Sequence, residues 1–313
     1  MAVVETTFRA MASHVQVIVV DGHDQAGLEA QRVVSELESV WSRFVPTSDV
    51  TRLNNANGQP VTVHPATVRL IDTMIEAIDL GGGRFAPTIL PDLMRAGYVA
   101  SIDNRAAVTV VGEQVRSTEQ IKHHLGDAQI DRHQHVVALP PGLTIDPGGV
   151  GKGLAADLVV AELRGQGSAG ALVSIGGDLA AAGDEPPQGW QLDIEDHFDK
   201  DKTLVSLAFS GGGVATSNTL GRRWIDTTTG QEQHHLIDPC TTQPSISDIV
   251  AATVVGSCGW QAEVHAKGVL LGGTEDFERY TTQHNIHAVA STSTNTMLST
   301  DAFSKFLAAT ARR

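Results

Sequence analysis

The chain has 313 residues, of which 41% are hydrophobic and 19% are charged, a composition that predicts a folded protein with a large core. The formal net charge of −14 argues against nucleic-acid or anionic-membrane binding, because both surfaces would repel an acidic protein. Two cysteines are too few for a disulfide framework. Without a secretory signal pattern or a long apolar run, we expect a cytoplasmic protein.

The N-terminal half begins with "HVQVIVV" (14–20), whose β-branched residues predict a strand. The next segment, 24–44, has the helical period with Leu28, Val33, Leu37 and Val40 or Trp41 facing inward. "SDVTRLNNANG" predicts a capped turn or short helix, and residues 65–80 predict a helix ended by glycines. Short strands and turns are expected over 98–145, around one small helix in 118–126.

The C-terminal half predicts a strand, a glycine loop and a long helix that starts near Lys152. Four segments then indicate antiparallel strands joined by glycine turns: "GALVSIGGDLAAAG", "WQLDIED", "LVSLAFSGGGVATSN" and "RRWIDTTTG". A short helix with a glycine stop is expected at 259–273, followed by the strand "IHAVAST" and a terminal helix at 301–310. Helices and strands mix without βαβ alternation, which favours an α+β fold.

The glycine loop "IDPGGVGKGLAAD" (145–157) contains the densest chemical signal. Free amides at a helix start and the Lys152 ammonium would suit a phosphate. The loop does not match a P-loop, which needs glycine in place of Asp146 and serine or threonine in place of Gly153. It does not match the dinucleotide fingerprint either. An anion-binding loop and a plain tight turn before a helix both remain open.

Three other segments are ambiguous. "SIGGDLAAAG" fits a β-turn with Asp178 capping its own backbone, and "GGGVATSN" offers Thr216, Ser217 and Asn218 as hydrogen-bonding groups. "QHHLIDPCTTQP" has two adjacent histidines, a spacing that does not place both on one helix face as zinc sites do.

These segments, in this order, resemble the ApbE family, flavin transferases that use FAD to attach FMN to a serine or threonine of a target protein. "FRAMASHVQV", "WSRFVPTSDVTRLN", "GGRFAPTI" and "IDPGGVGKGLAAD" carry the resemblance in the first half, and "LVSIGGDLAAAG", "GVATSN" and "HHLIDPCTTQP" in the second. The similarity runs from about Phe8 to Phe306. It implies a T-fold-related α+β chain, one domain over 1–313 with two intimate lobes and FAD in the cleft between them.

The resemblance also implies site residues. His235 matches the family's proposed catalytic base, and Asp238 follows it; both are catalytic candidates if the chain is a transferase. Phe44 matches an aromatic position suited to stacking on the isoalloxazine ring. The positions implied to contact FAD are Met11, Phe44, Arg84, Phe85, Ala86, Asp146, Gly149, Lys152, Gly176, Gly177, Asp178, Ser217, His235, Ile237, Glu263 and Lys267.

The chain departs from the family in the 259–273 helix, where an aspartate and a threonine are implied to hold Mg²⁺. Glu263 and Lys267 stand at those positions. An ammonium has no acceptor, and at roughly 4 Å it would repel Mg²⁺ by about 8 kcal/mol at an effective dielectric of about 20. We therefore expect no Mg²⁺, a Lys267 ammonium on the pyrophosphate, and a protein that stores or delivers intact FAD. An exposed Glu263–Lys267 ion pair is the alternative for these two residues.

Two alternatives keep an enzymatic function: an Mg²⁺-dependent FAD:protein FMN transferase acting on flavoprotein acceptors, and an FAD pyrophosphatase. A flavin redox enzyme is disfavoured, since the sequence offers no second cofactor site or catalytic thiol. The oligomeric state is not predicted.

Overall fold

The computed structural model describes residues 1–101, 104, 106–109, 124–196, 198–199, 201–225 and 230–307. The described helices are α1 Ala26–Trp41, α2 Asp49–Asn55, α3 Pro65–Leu80, α4 Leu90–Arg95, α5 Gly151–Gly165 and α6 Gly259–Gln283. Single 3₁₀ segments cover Leu125–Asp127 and Asp301–Phe306.

The described strands have between two and eight residues. They are β1 Val3–Ala10, β2 Ser13–Val20, β3 Val61–Thr62, β4 Gln129–Asp131, β5 Val136–Ala138, β6 Gly170–Ile175, β7 Asp178–Gly183, β8 Trp190–Glu195, β9 Thr203–Phe209, β10 Gly212–Asn218, β11 Arg223–Ile225, β12 Glu232–His234, β13 Ile237–Asp238, β14 Gln243–Pro244, β15 Ile249–Gly256, β16 His287–Thr292 and β17 Met297–Ser299.

The chain divides into two compact units. Unit 1 comprises Met1–Val33, Lys152–Leu220 and Ile246–Arg313, and unit 2 comprises Val34–Gly151 and Gly221–Ser245. The expectation of a single domain over 1–313 stays a prediction.

Unit 1 is built on an eight-stranded sheet in the order β1-β2-β6-β7-β10-β15-β16-β17, in which all neighbours are antiparallel. Val214 and Val255 are cross-strand partners on one face, where they pack with Trp190 and Leu207 of the β8–β9 hairpin. The next pair along the strands therefore faces the other side of the sheet, where a Cβ on Gly256 would lie 3.4 Å from the Cβ of Ala262 in α6. The sheet is thus covered by a hairpin on one face and by α6 on the other.

Helix α6 consists of two helical segments joined at Gly273, whose backbone angles (φ 69°, ψ −179°) are not helical. Glycine reaches this φ without the steric cost that other residues carry. The predicted glycine stop of the 259–273 helix is therefore confirmed. The second segment begins at Thr274, whose backbone N–H donates to Asp248 at 2.9 Å.

Unit 2 contains α2, α3, α4 and three small antiparallel sheets, β3-β5-β4, β11-β12 and β13-β14. The predicted helix over residues 65–80 is confirmed, with Pro65 in its first turn and Gly81 at its C-cap. The predicted short helix before Asn57 is also present, and the Ser48 hydroxyl caps it by accepting from the Thr51 N–H at 3.1 Å.

The structure differs from the sequence-based prediction at Leu28 and at the C-terminal helix. Leu28 was expected to face inward, but its side chain is 66% exposed, because the buried stripe of α1 runs through Ala30, Val34, Leu37 and Trp41 instead. The terminal helix is a 3₁₀ segment as far as Phe306, and residues 308–310 lie outside the described residues. Most of the small helix expected in 118–126 also lies outside them.

Taken over the described residues, the mixture of helices and antiparallel strands confirms the α+β class. None of the described helices has the length and apolarity that a bilayer crossing needs. A cytoplasmic location stays a prediction.

Candidate functional site

The glycine loop before α5 is a tight turn fixed by Asp146. One oxygen of the Asp146 carboxylate lies 2.7 Å from Nε of Arg43, and the other accepts from the Gly148 N–H at 2.7 Å. Gly149 has φ +108°, a value that favours glycine. Both oxygens of Asp146 therefore bind groups of the protein and hold the loop in shape, and the predicted contact of Asp146 with FAD stays a prediction.

Arg43 joins this loop to a group of aromatic side chains in unit 2. Its guanidinium carbon lies 4.1 Å from the centre of the Phe44 ring and 4.7 Å from that of Tyr98. One nitrogen donates to the Tyr98 carbonyl at 3.0 Å, and another donates to Thr109. The side chain is 3% exposed, so this cation lies behind the rings and is neutralised by Asp146.

Four rings make up what we call the aromatic cluster: Phe44, Tyr98, Trp224 and His235. Tyr98 lies at its centre, edge-on to Phe44 (5.9 Å between ring centres) and to His235 (6.4 Å), and stacked on Trp224 (5.5 Å). The Trp224 indole N–H donates to the Ala96 carbonyl at 2.7 Å. All four rings are half-buried, so each keeps a surface that a planar ligand could contact. Two predicted positions, Phe44 and His235, are thus brought together.

Three predicted residues near this cluster belong to the packing of unit 2. Ile237 is buried in a hydrophobic group with Ile89 and Leu93, against which Ala86 packs. Phe85 is also buried, whereas Arg84 is half-buried. Ile237 and Phe85 therefore support the fold, and their predicted contact with FAD stays a prediction.

The two adjacent histidines have different environments. His234 is buried, its Nε2 lies 3.0 Å from the Ser245 carbonyl oxygen, and burial lowers its pKa. His235 faces Tyr98. Asp238 shapes the turn that follows, since its carboxylate accepts from the Cys240 N–H at 2.8 Å and its carbonyl accepts from Thr242. This arrangement leaves His235, of the two, as the candidate base.

In unit 1, two tight turns lie at the same end of the main sheet. Met11 and Ala12 (φ 52° and 54°) connect β1 to β2, and Gly176 and Gly177 (φ 61° and 92°) connect β6 to β7, as two-residue hairpins require. Strands β2 and β6 are neighbours, and the Gly176 N–H donates to the His14 carbonyl at 2.9 Å. The pairing therefore groups Met11, Gly176, Gly177 and the following Asp178 at one end of the main sheet.

Next to these turns lies a second group, which we call the charged cluster: Lys152, Asp178, Glu263 and Lys267. The Lys152 ammonium, in the first turn of α5, forms an ion pair with Asp178. The Gly153 N–H donates to Glu263 at 2.8 Å. Lys267 follows Glu263 by one turn of α6. Asp178, Glu263 and Lys267 are all buried, so the exposed ion pair considered from the sequence is ruled out.

The electrostatics of the charged cluster centre on Glu263. Burial raises the pKa of its carboxyl to about 7, and the negative charge of Asp178 also raises it. Lys152, the Gly153 N–H and Lys267 lower the pKa and only partly offset these effects. Burial and Asp178 therefore raise the pKa of Glu263 more than its neighbouring lysines and the Gly153 N–H lower it.

These residues do not fit the Mg²⁺ site that the resemblance implies. Mg²⁺ needs several oxygen ligands in octahedral geometry, but Glu263 is hydrogen-bonded to Gly153, Asp178 is paired with Lys152, and Lys267 brings a second cation. Among the described residues, no group of three His, Cys, Asp or Glu side chains could hold a metal. Whether the protein works without Mg²⁺ stays a prediction.

The remaining predicted residue, Ser217, lies half-buried on β10 opposite Ala252 of β15. Sequence reasoning missed Arg43, Tyr98, Trp224 and Asp157. Arg43 and Asp157 lie inside the segments "WSRFVPTSDVTRLN" and "IDPGGVGKGLAAD", but their partners are distant in sequence. Nothing local to Tyr98 or Trp224 indicated their stacking, because they are 126 positions apart.

The described residues thus form an α+β fold with an aromatic cluster in unit 2 and a charged cluster in unit 1. A model of the ApbE family matches residues 11–290, and the chain belongs to this family.

Relatives and solved structures agree with this assignment. The chain is 31% identical over 150 residues to the FAD:protein FMN transferase of Salmonella typhimurium, a match covering 47% of this chain and 42% of that protein. It is 26% identical over 216 residues to the FAD:protein FMN transferase of Rhodobacter capsulatus, covering 69% and 37%. The matches thus span about two fifths of these relatives' own length. The crystal structure of the ApbE protein of Thermotoga maritima superposes with a TM-score of 0.82 at 20% identity, covering 97% and 99%.

Proposed function

We propose that the protein transfers FMN from FAD to a serine or threonine hydroxyl of a target protein and releases AMP. The observation that carries this proposal is membership of the ApbE family over residues 11–290, a range that includes His235, Asp238 and the whole charged cluster. The matched proteins from Salmonella typhimurium and Rhodobacter capsulatus are both named as FAD:protein FMN transferases. They give no support to the expectation that activity is lost.

The reaction is a phosphoryl transfer. The acceptor hydroxyl oxygen forms a bond to the FMN phosphorus, and the bond from that phosphorus to the bridging oxygen of the pyrophosphate breaks. The bridging oxygen leaves with AMP, and the hydroxyl proton passes to His235, whose ring belongs to the aromatic cluster. A base that accepts this proton strengthens the attacking nucleophile.

The charged cluster would bind the pyrophosphate in this scheme. Lys152 and Lys267 are ammonium groups, which donate charge-assisted hydrogen bonds to phosphate oxygens. Asp178 and Glu263 orient them: Asp178 through its ion pair with Lys152, and Glu263 through its place one turn before Lys267. We propose that these two ammonium groups supply the positive charge for which relatives are expected to need Mg²⁺.

Release of AMP tests the proposal directly. Purified protein is incubated with FAD and a flavoprotein acceptor domain, and AMP and covalent flavin are measured with Mg²⁺ or with a chelator. We expect both products, and we expect the chelator to leave their yield largely unchanged. Absence of both products under all conditions would refute the transferase; products that vanish with chelator would refute only the metal-free part.

A matched double variant isolates the metal question without measuring activity. Glu263→Asp combined with Lys267→Thr replaces the ammonium by a hydroxyl, and calorimetric titration with Mg²⁺ in the presence of FAD should then show binding that the unaltered protein lacks. Lys202→Met, at an exposed lysine paired with Asp199, serves as the control. Mg²⁺ binding to the unaltered protein and the double variant with equal affinity would contradict the assignment of Lys267.

Storage of intact FAD is the second candidate function. It is favoured by one observation, the buried Lys267 ammonium beside Glu263, because a single positive charge polarises phosphorus less than a divalent cation does. The same incubation separates the two candidates: a storage protein returns the flavin as FAD, with no AMP and no covalent product.

A further inference from the structure

The start of α6 is capped by a side chain from α5. The residue before this helix, Cys258, makes no capping hydrogen bond with its own side chain. Instead, the Asp157 carboxylate accepts from the Gly259 N–H at 2.8 Å and from the Trp260 N–H at 3.0 Å. Both oxygens of Asp157 thus bind the free amides at the start of another helix, where a negative charge is also stabilised by the helix dipole.

The two helices also touch through their backbones at this point. A Cβ on Gly153 would lie 2.4 Å from the Gly259 carbonyl oxygen, and a Cβ on Gly259 would lie 2.6 Å from the Gly153 carbonyl oxygen. Contacts of this length exclude any side chain at either position. The close approach of α5 and α6 at this point therefore requires glycine at both positions.

One turn further along α6, the helices are joined a second time, by the Gly153 N–H and Glu263. Gly153 lies one turn before Asp157 on α5, just as Gly259 lies one turn before Glu263 on α6. The Asp157 cap and the Gly153–Glu263 hydrogen bond are thus two separate hydrogen-bonded contacts between α5 and α6. The Asp157 cap fixes where α6 begins. The start of α6 in turn fixes where Glu263 and Lys267 lie relative to Lys152.

We propose that Asp157 is a positioning residue for the transfer reaction: by capping α6 it holds Glu263 and Lys267 in register with the first turn of α5. The proposal rests on the proposed function, since it gives Lys152 and Lys267 the pyrophosphate as their common ligand. Loss of the cap lets the start of α6 shift, and a displacement of about 1 Å at reacting groups costs on the order of 100-fold in rate.

The chain offers a matched control in the second segment of α6. Asp248 accepts from the Thr274 N–H at 2.9 Å and from the Thr274 hydroxyl at 2.5 Å. It is also a carboxylate from another element that binds the start of a helical segment. It differs from Asp157 in that no residue of the charged cluster follows within the segment it caps. A purely structural role predicts the same functional outcome for both residues.

The experiment compares Asp157→Ala, Asp157→Asn and Asp248→Ala for urea unfolding, AMP release, and affinity for FAD and for riboflavin, which has no pyrophosphate. For Asp157→Ala we expect kcat to fall by about 10- to 100-fold and FAD to bind at least about threefold more weakly, with riboflavin affinity unchanged. Asp157→Asn keeps one acceptor oxygen and should recover part of the loss. Asp248→Ala should lower the unfolding midpoint but stay within about twofold in every functional measurement.

Equal functional losses in the two alanine variants would overturn the proposal, as would wild-type kcat and FAD affinity in Asp157→Ala. An equal loss of FAD and riboflavin affinity in Asp157→Ala would also overturn it, because a general loosening of the fold weakens both. If Asp157→Ala does not fold, Asp157→Asn carries the same comparison. If the unaltered protein releases no AMP, the proposed function fails, and the ratio of FAD to riboflavin affinity still decides the role of Asp157.

Discussion

The aromatic cluster and the charged cluster differ in how the buried charges at each are balanced. Beside the aromatic cluster, the buried Arg43 is neutralised by Asp146 and shielded by the rings of Phe44 and Tyr98. In the charged cluster, Glu263 keeps a pKa raised to about 7 despite two neighbouring lysines. The first arrangement is electrostatically satisfied without a ligand. The second is a balance of charges that an anionic ligand would change.

The pairing of charges sets how each cluster should respond to a ligand. A satisfied ion pair such as Arg43–Asp146 supports the structure and presents uncharged ring surface, so ligand binding there should depend on shape and stacking. A cluster with competing charges should respond to pH and to the charge of the ligand.

The largest effect is expected from removing Arg43, the buried cation that contacts the aromatic cluster. Arg43→Met leaves the Asp146 carboxylate buried without its partner, and loss of one partner of a buried ion pair costs about 3–5 kcal/mol. Urea denaturation measures the change in the free energy of unfolding. Adding Asp146→Asn should restore much of the loss, because no charge is then left unpaired.

The control for Arg43 is an exposed ion pair in the same unit. Arg132 donates to Asp72 at 2.6 Å but is largely exposed, so Arg132→Met should cost less than about 1 kcal/mol. Similar losses in Arg43→Met and Arg132→Met would show that the buried pair has no special structural weight.

The prediction of these elements from the sequence succeeded where the pattern was local. The helix over residues 65–80 and the stop at Gly273 depend on periodicity, a proline in the first turn and glycines near the ends. All of these signals lie within a few residues of each other in the sequence. The wrong orientation of Leu28 has a local cause too, since the apolar residues of α1 allow two overlapping stripes. Only packing shows that Ala30 and Val34, not Leu28, face the core.

The site was predictable as a list of positions but not as two clusters. Motif resemblance selected Phe44, His235, Lys152 and Glu263, yet it could not indicate that Tyr98 joins the first two. Nor could it show that Asp146 binds Arg43, because two charged residues 103 positions apart carry no signal of contact. Hydrogen bonds between distant segments arise from the tertiary fold, and a single sequence does not record them.

The second prediction concerns the pH dependence of stability. In the folded protein the pKa of Glu263 is raised from 4.5 to about 7. Between pH 4.5 and pH 7 the folded state therefore binds more protons than the unfolded state. Stability contributed by this group therefore falls as pH rises through that window. The decrease is on the order of 3 kcal/mol. Burial makes the largest contribution to the raised pKa and Asp178 the next, while Lys152, Gly153 and Lys267 lower the pKa.

Glu263→Gln tests the pH prediction, because the amide oxygen can still accept from Gly153 but does not titrate. Unfolding free energies measured from pH 5 to pH 8 should decline in the unaltered protein and stay flatter in the variant. An identical decline in both proteins would assign the pH dependence to other groups.

The third prediction separates the charged cluster by ligand charge. Lys267→Met should weaken FAD binding by about 10- to 100-fold, the value of one or two hydrogen bonds to a charged group, and leave riboflavin binding unchanged. Flavin fluorescence measures both affinities. Lys202→Met, at a largely exposed lysine, should change neither, and equal weakening of riboflavin by Lys267→Met would contradict a phosphate role for this ammonium.

The smallest effect is expected from the centre of the aromatic cluster. Tyr98→Leu removes a ring that contacts Phe44, Trp224 and His235, and aromatic pairs are worth about 0.5–1.5 kcal/mol beyond their area. FAD and riboflavin should therefore both bind about three- to tenfold more weakly, by the same factor, with no change in the effect between low and high salt. Phe198→Leu, at an exposed aromatic residue of unit 1, is the control. A loss confined to FAD, or one that salt abolishes, would mean that Tyr98 acts through the Arg43 charge, and the distinction between a satisfied and a competing charge would then fail at its centre.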